Sequence, residues 1–215
     1  MIIKLDLIVF DLDGTLADSL PDLAEAANFA CRSLGLPEHS QAAIQKMIGG
    51  GERKFAEAFL GPGNQGYLKE GLNLYLDYYS RHCGDLTRLY PGVRETLEEL
   101  SFKKLAVLSN KLQSLTEQVL GVMGILSLFA AVRGGGGELA LKPSPEPLVA
   151  LIGELRLDPG RTLMVGDKPA DVLAGRLAGA RTAAVTYGYG DLPSLTAAAP
   201  DFLLHQFTEL KKIVF

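Results

Sequence analysis

Leu7-Ile8-Val9-Phe10-Asp11-Leu12-Asp13-Gly14-Thr15 is an apolar, β-branched run that stops on two carboxylates. Such a run reads as a strand buried on both faces, the kind a parallel sheet contains. Carboxylates cannot extend a buried strand unless a partner meets them. In open α/β sheets, ligands bind at the carboxyl ends of the strands. Asp11 and Asp13, two residues apart, can both face a cleft there, and Gly14 allows the sharp turn that follows. One carboxylate then suits a nucleophile and the other a general acid and base. The pair also attracts a divalent cation, and oxygen-only ligands suit Mg2+.

The bulk numbers leave room for this chemistry. A chain of 215 residues suits one large domain, or one domain with an insertion. Its net charge of −4 gives no reason to expect nucleic acid or an anionic membrane as partner. Two cysteines, Cys31 and Cys83, could form one disulfide but do not make a secreted framework. No apolar run is long enough to span a bilayer, and Lys4 and Asp6 break up the segment where a signal peptide would lie. The expectation is a cytoplasmic enzyme, monomeric or homodimeric, acting on a small molecule.

Downstream of Thr15 the pattern turns helical. Helices are expected over 20–36, with Pro21 in the first turn, then over 41–47, 52–60 and 67–82. This all-helical block separates the first strand from the next and reads as an inserted cap of residues 17–87. The core is then 1–16 and 88–215. Strands are expected over 105–108, 129–132, 162–165 and 182–185, with a short edge strand at 202–204. Helices fall between them, over 93–100, 112–122, 144–155 and 170–178, and a last one closes the chain. Alternation of this kind argues for an α/β fold with a doubly wound parallel sheet.

Position carries the functional argument. Asp11, Ser109 and Asp167 each follow a buried strand, and Lys142 lies in the loop after another. In a parallel sheet these ends open on one edge, so the four groups converge on one cleft. Ser109 and Asn110, entering a helix, offer a hydroxyl and backbone N–H groups to an anion, although Ser and Asn also serve as ordinary caps. Lys142 alone would read as a solvated lysine. Asp167 can ligate a metal, and Asp171, one turn into the next helix, can hold Lys142 or a metal-bound water.

In chain order, Asp11-x-Asp13-Gly14-Thr15, Ser109, Lys142 and Gly166-Asp167-x-x-x-Asp171 resemble the four motifs of the haloacid dehalogenase superfamily of phosphohydrolases. The resemblance implies a Rossmann-like core and Mg2+-dependent phosphoryl transfer through an aspartyl-phosphate. It makes Asp11 the nucleophile, and has Asp13 protonate the leaving oxygen and then activate water. Asp11, the backbone carbonyl of Asp13, and Asp167 would hold Mg2+, with Asp171 beside them. Thr15, Ser109, Asn110 and Lys142 would hold the phosphoryl group.

The stretch from Asp13 to Leu23, with Ile48-Gly49-Gly50-Gly51 in the cap, looks like the phosphoglycolate phosphatase branch. The substrate implied is a small phosphorylated metabolite, 2-phosphoglycolate first. Pyrophosphate, phosphosugars and nucleoside monophosphates are alternatives, as is a phosphosugar mutase of the same superfamily. On the cap side, N–H groups of Gly49, Gly50 and Gly51 and the fork of Arg53 are the expected donors to a substrate carboxylate. Three glycines between helices also serve as a plain joint. Tyr75, Tyr78 and Tyr79 read as packing, and His39 and His82 as surface residues. Lys168 and the glycine loop at 134–137 depart from the superfamily pattern.

Overall fold

The structure is a computed structural model that describes residues 4–214; positions 1–3 and 215, the ends of the expected core, lie outside the described residues. Strand β1 (Leu7–Phe10) leads through β2 (Ala17–Asp18) into four helices: α1 (Leu20–Ser33), α2 (Gln41–Met47), α3 (Glu52–Leu60) and α4 (Leu68–His82). The chain returns through β3 (Arg88–Leu89) to α5 (Val93–Glu99), β4 (Lys104–Leu112), α6 (Gln113–Val122) and β5 (Ala131–Gly135). It continues with α7 (Glu146–Glu154), β6 (Thr162–Gly166), α8 (Pro169–Leu177) and β7 (Arg181–Val185). It closes with α9 (Leu192–Ala197), β8 (Phe202–Leu204) and α10 (Lys211–Val214).

Six strands form one parallel sheet in the order β5-β4-β1-β6-β7-β8. The chain builds outward from β1 on one side, then crosses to β6 on the other. The topological switch therefore lies beside β1, where α/β sheets open a crevice. Side-chain alternation explains the unbroken apolar run of β1. Ile8 and Phe10 enter one layer with Val107, Val165 and Phe207, while Leu7 and Val9 enter the other with Leu148, Leu151 and Ile152 of α7.

The helical block packs on its own aromatic cluster. Phe55, Phe59, Tyr75 and Tyr79 stand with ring centroids 5.3 to 5.8 Å apart. Where the chain leaves and re-enters the sheet layer, β2 and β3 pair antiparallel. Asp22, buried in the first turn of α1, locks this crossing. Its carboxylate accepts hydrogen bonds from Leu86 N at 3.0 Å, Thr87 N at 2.8 Å and Thr87 Oγ1 at 2.7 Å. Cys31 and Cys83 are both buried and free, so the conceivable disulfide is not formed.

Three local differences from the sequence reading have physical causes. Helix α1 stops at Ser33, with Leu34 as its cap and Gly35 in the left-handed region at φ 68°. Strand β4 runs four residues further than the apolar pattern, through Ser109-Asn110-Lys111-Leu112, with a register irregularity against β5. Strand β5 in turn takes in Gly134 and Gly135 from the expected loop. A Cβ at Gly134 would stand 2.5 Å from Gln113 Cα, and one at Gly135 2.6 Å from the Asn110 carbonyl, so glycine is what permits that pairing. The ribbon β2–β3 and helix α9 were not expected, being too short to show a period.

Asp22→Ala leaves three donors at the crossing without their acceptor. Unsatisfied buried groups cost about 1–3 kcal/mol each before relaxation. We expect a loss of about 3 kcal/mol in unfolding free energy, measured by urea denaturation. A change below about 1 kcal/mol would show that water replaces the carboxylate.

Candidate active site

The switch point brings the strand-end residues together. Register pairs Phe10 with Val107 on one side and Val165 on the other, so Asp11, Leu108 and Gly166 sit level. Into this edge the loop before α7 inserts Lys142, which is 6% exposed. Its Nζ lies 2.9 Å from Asp11 Oδ1 and 2.7 Å from Asp171 Oδ1, and donates to the Leu108 carbonyl at 2.7 Å. Three donors meet three acceptors, the full capacity of an ammonium. Burial works against the charge of Lys142, but Asp11 and Asp171 outweigh it and hold its pKa above the ordinary lysine value. Asp171 Oδ2 also accepts from the Lys168 backbone N–H at 3.0 Å, which fixes the carboxylate at the start of α8. Asp11 is pushed up to about 6, first by burial, with Lys142 pulling down and Asp171 pushing up.

Asp11, Asp167 and Asp171 each present an oxygen, and these atoms all lie within 4.8 Å of one another. Asp167 is fully buried, and among the described residues it makes no ion pair. Its Oδ2 accepts from Tyr189 N at 2.7 Å, and the Thr15 hydroxyl reaches Oδ1 at only 3.5 Å. Burial and the two neighbouring carboxylates push Asp167 up to about 8. A Cβ at Gly14 would collide with this carboxylate, so only glycine lets the loop pass so close. Hard oxygen donors, crowded and short of positive charge, are the donor chemistry that fits Mg2+.

Asp13 faces a different set of groups. Its Oδ1 lies 3.1 Å from Lys111 Nζ and accepts from the Ser19 hydroxyl. Lys111 is 5% exposed and also donates to the Tyr79 hydroxyl at 2.7 Å. Tyr189 steadies the other flank: its hydroxyl accepts from Ser19 N at 2.8 Å and Leu20 N at 2.9 Å, and donates to Asp18 Oδ1 at 3.1 Å. Lys111 and Tyr189 were missed in the sequence. Both left a signal. Ser109 and Lys111 share a face of an extended strand, and Tyr189 follows β7 at the same sheet edge as Asp11 and Asp167.

The cap closes over this edge through polar contacts. Asn110 Nδ2 donates to the Gly49 carbonyl at 2.8 Å, Leu112 N donates to Glu52 Oε1 at 3.1 Å, and Gln45 Nε2 reaches the Tyr189 carbonyl at 3.3 Å. Lys168 Nζ donates to the Ile48 carbonyl. The cleft between cap and edge is lined by Asp11, Asp13, Ser109 and Lys142 below, and by Phe55 and Tyr75 above.

Several expected roles change on this geometry. The Asn110 side chain is taken up as a clamp on Gly49 and on both backbone groups of Lys142, so its amide does not face a phosphate. Thr15 turns its hydroxyl to Asp167. Ser109 lies inside β4, four residues before α6, so it caps no helix; its Oγ accepts from Lys111 N at 3.3 Å. The glycine turn offers the core the carbonyls of Ile48 and Gly49 as acceptors, the reverse of the expected N–H donors. Arg53 points outward: its side chain is 77% exposed and pairs with Glu57 at 3.1 Å along the same helix. The tyrosines divide, since Tyr75 lines the cleft and Tyr79 contacts Lys111, while Tyr78 stacks on Phe29 and His82. His39 is half-buried, with Nε2 2.6 Å from the Phe59 carbonyl.

A family model described as Haloacid dehalogenase-like hydrolase matches residues 8–185. A phosphoglycolate phosphatase of Aquifex aeolicus is 36% identical over 209 residues, covering 96% of this chain and 95% of its own length. One of Vibrio parahaemolyticus is 35% identical, covering 97% of this chain and 95% of its own. The crystal structure of a predicted phosphoglycolate phosphatase from Haemophilus somnus superposes with a TM-score of 0.93 at 33% identity, covering 98% of both chains.

Because Arg53 makes only an exposed i,i+4 pair, Arg53→Ala should change kcat/KM by less than about twofold on any substrate and stability by less than about 0.5 kcal/mol. Steady-state kinetics on a carboxylated and a neutral phosphate ester, with thermal melts, check this. A tenfold loss confined to the carboxylated ester would return Arg53 to substrate recognition.

Proposed function

The chain belongs to the haloacid dehalogenase-like hydrolases, and we propose that it is a Mg2+-dependent phosphatase for a small carboxylated phosphate monoester, 2-phosphoglycolate first. The observation that carries this reading is Asp11 held at 2.9 Å by buried Lys142, with Asp13 two residues on and the acidic cluster beside it. In this reading residues 17–87 form a cap over a core of 1–16 and 88–215. No helix among the described residues is long and apolar enough to cross a membrane. Two free buried cysteines agree with a reducing, cytoplasmic setting.

Asp11 attacks phosphorus, and the bond from phosphorus to the ester oxygen breaks as the Asp13 carboxyl gives that oxygen its proton. Asp13, now a carboxylate, takes a proton from water as the water attacks the phosphoryl group on Asp11. Inorganic phosphate leaves and Asp11 is restored. Lys142 keeps Asp11 oriented and offsets the charge of the phosphoryl oxygens, with Ser109 at the neighbouring strand end. Asp11, the backbone carbonyl of Asp13 and Asp167 would hold Mg2+, with Asp171 behind them, and the bound cation would supply positive charge against the phosphoryl oxygens.

Asp11→Asn should lower kcat by at least ~1,000-fold, about 4 kcal/mol of barrier. The Lys142–Asp171 pair is untouched by the change, so the fold should persist. Phosphate release from 2-phosphoglycolate, followed with circular dichroism as a fold control, tests this. Turnover within about tenfold of wild type would refute Asp11 as nucleophile, and isomerisation of a phosphosugar without phosphate release would favour a mutase.

Mg2+ takes carboxylates and not carboxylic acids, so Asp167, pushed up to about 8, has to lose a proton on binding. Affinity should therefore rise as pH rises from about 6 to about 8, with about one proton released near pH 7. Calorimetry in two buffers of different ionisation enthalpy measures both quantities. Binding that is independent of pH and releases no proton would contradict a site built on Asp167.

A further inference from the structure

The motif residues account for the phosphoryl group and leave the other end of the substrate unaddressed. Asp13 locates that end, because its carboxyl has to touch the ester oxygen to protonate it. The atoms beyond that oxygen then lie next to whatever surrounds Asp13. The nearest cation is Lys111, 3.1 Å from Asp13 Oδ1.

Lys111 differs from the other basic groups of the cleft. Lys142 uses its three donors on Asp11, Asp171 and the Leu108 carbonyl. Lys168 reaches past the acidic cluster to the cap carbonyl of Ile48; it keeps donors of its own, but it is only half-buried and makes no bond to Asp13 among the described residues. Arg53 is outside. Lys111 has two partners among the described residues, Asp13 and the Tyr79 hydroxyl, so one of its three N–H donors is left over. Burial works against its charge, but Asp13, Tyr75 and Glu52 outweigh it and keep the ammonium protonated. Lys111 is itself buried, with Phe55 and Tyr75 lining the same cleft, so an anion placed on it gains more than it would in solvent.

We propose that Lys111 is the specificity-determining residue, receiving the leaving group's carboxylate through its spare donor. This inference rests on the phosphatase reading above, with Asp13 as the acid. In 2-phosphoglycolate the carboxyl carbon is two bonds from the ester oxygen, so an oxygen on Asp13 and a carboxylate on Lys111 are compatible with one short ligand. The same ammonium spans Asp13 and the carboxylate. Substrate binding and orientation of the acid are therefore coupled through one side chain. A neutral acceptor such as an amide carbonyl would take the spare donor without the charge assistance, and a leaving group with no acceptor would leave it unmatched, so both are disfavoured.

The test compares 2-phosphoglycolate with 2-phosphoglycolamide, its neutral isostere, on the wild type, Lys111→Met, Lys111→Arg and Lys168→Met. We expect the wild type to prefer the carboxylate and Lys111→Met to lose at least ~30-fold in kcat/KM on it, the size of a charge-assisted hydrogen bond. Losses on the amide should be several-fold smaller, so that the preference collapses, and Lys111→Arg should retain part of it. If Lys111→Met does not fold, two measurements stand in. One is Lys111→Arg; the other is calorimetric binding of phosphonoacetate against methylphosphonate to the wild type.

Equal losses on both esters in Lys111→Met, with the wild-type preference intact, would overturn the assignment and leave Lys111 as a support for Asp13. A preference lost in Lys168→Met and kept in Lys111→Met would move the carboxylate to Lys168. A wild type that hydrolyses the amide as fast as the acid would overturn the carboxylated-substrate reading itself, and Lys111's role with it.

Discussion

A lysine ammonium buried between two carboxylates at the carboxyl edge of a sheet is the constraint from which the site follows. Lys142 cannot be charged in that place without Asp11 and Asp171, and the two acids cannot stand so close without Lys142. Each comes from a different segment, so the ion triad holds β1, the loop before α7 and the start of α8 in one geometry. The Leu108 carbonyl, as third acceptor, adds β4. Removing Lys142 would leave two buried carboxylates without a counter-ion, whereas removing one acid leaves the ammonium paired with the other. The strand order makes this possible, because β1 has β4 on one side and β6 on the other. The same bonds that stabilise the edge also orient one oxygen of Asp11.

Closure of the cap depends on a second constraint, the pairing of backbone groups across the gap between the helical block and the sheet edge. The Ile48 and Gly49 carbonyls, at the end of a short helix, have no helical donors of their own. Core side chains supply them, Lys168 for one and Asn110 for the other. Leu112 N, at the end of the extended β4, finds Glu52 in the cap. The cap is thereby keyed to residues that also neighbour the reacting groups. Asp22 performs the equivalent task at the base, where two chain crossings would otherwise have loose donors.

Much of the fold was legible because its signals are local. The run at 7–10 is apolar on both faces, and 41–47 and 52–60 carry helix limits that match α2 and α3. Asp11, Lys142, Asp167 and Asp171 could be brought together on paper because strand ends in a parallel sheet share an edge. What escaped was set by long-range contact. Nothing near Asn110 in the chain says that its amide clamps Gly49. Arg53, next to a glycine turn, looked aimed at the cleft, but its place on α3 points it outward. Lys111 drew no attention at the end of a strand, yet β4 runs four residues past the apolar pattern and buries it. Asp22 drew no reading of its own, because its partners are more than sixty positions away.

The charges around the cleft set the terms for what it binds. Asp11, Asp13, Glu52, Asp167 and Asp171 face Lys111, Lys142 and Lys168, so carboxylates outnumber ammonium groups. Asp13 and Glu52 lie toward Lys111, and Asp11 and Asp171 share Lys142. Asp167 has two neighbours of its own sign, with only Lys168 acting against them and no ion-pair partner among the described residues. A buried carboxylate in that position either keeps a proton or meets a cation. The ionised form is thus reserved for the moment a positive ion arrives, and the protein need not carry an uncompensated charge before then. On the opposite flank the spare donor of Lys111 is the complement, a positive group with room for one more acceptor. The cleft is polarised along its length, deficient in positive charge at one end and in acceptors at the other. A ligand carrying an anion at each end, with a cation accompanying one of them, satisfies both.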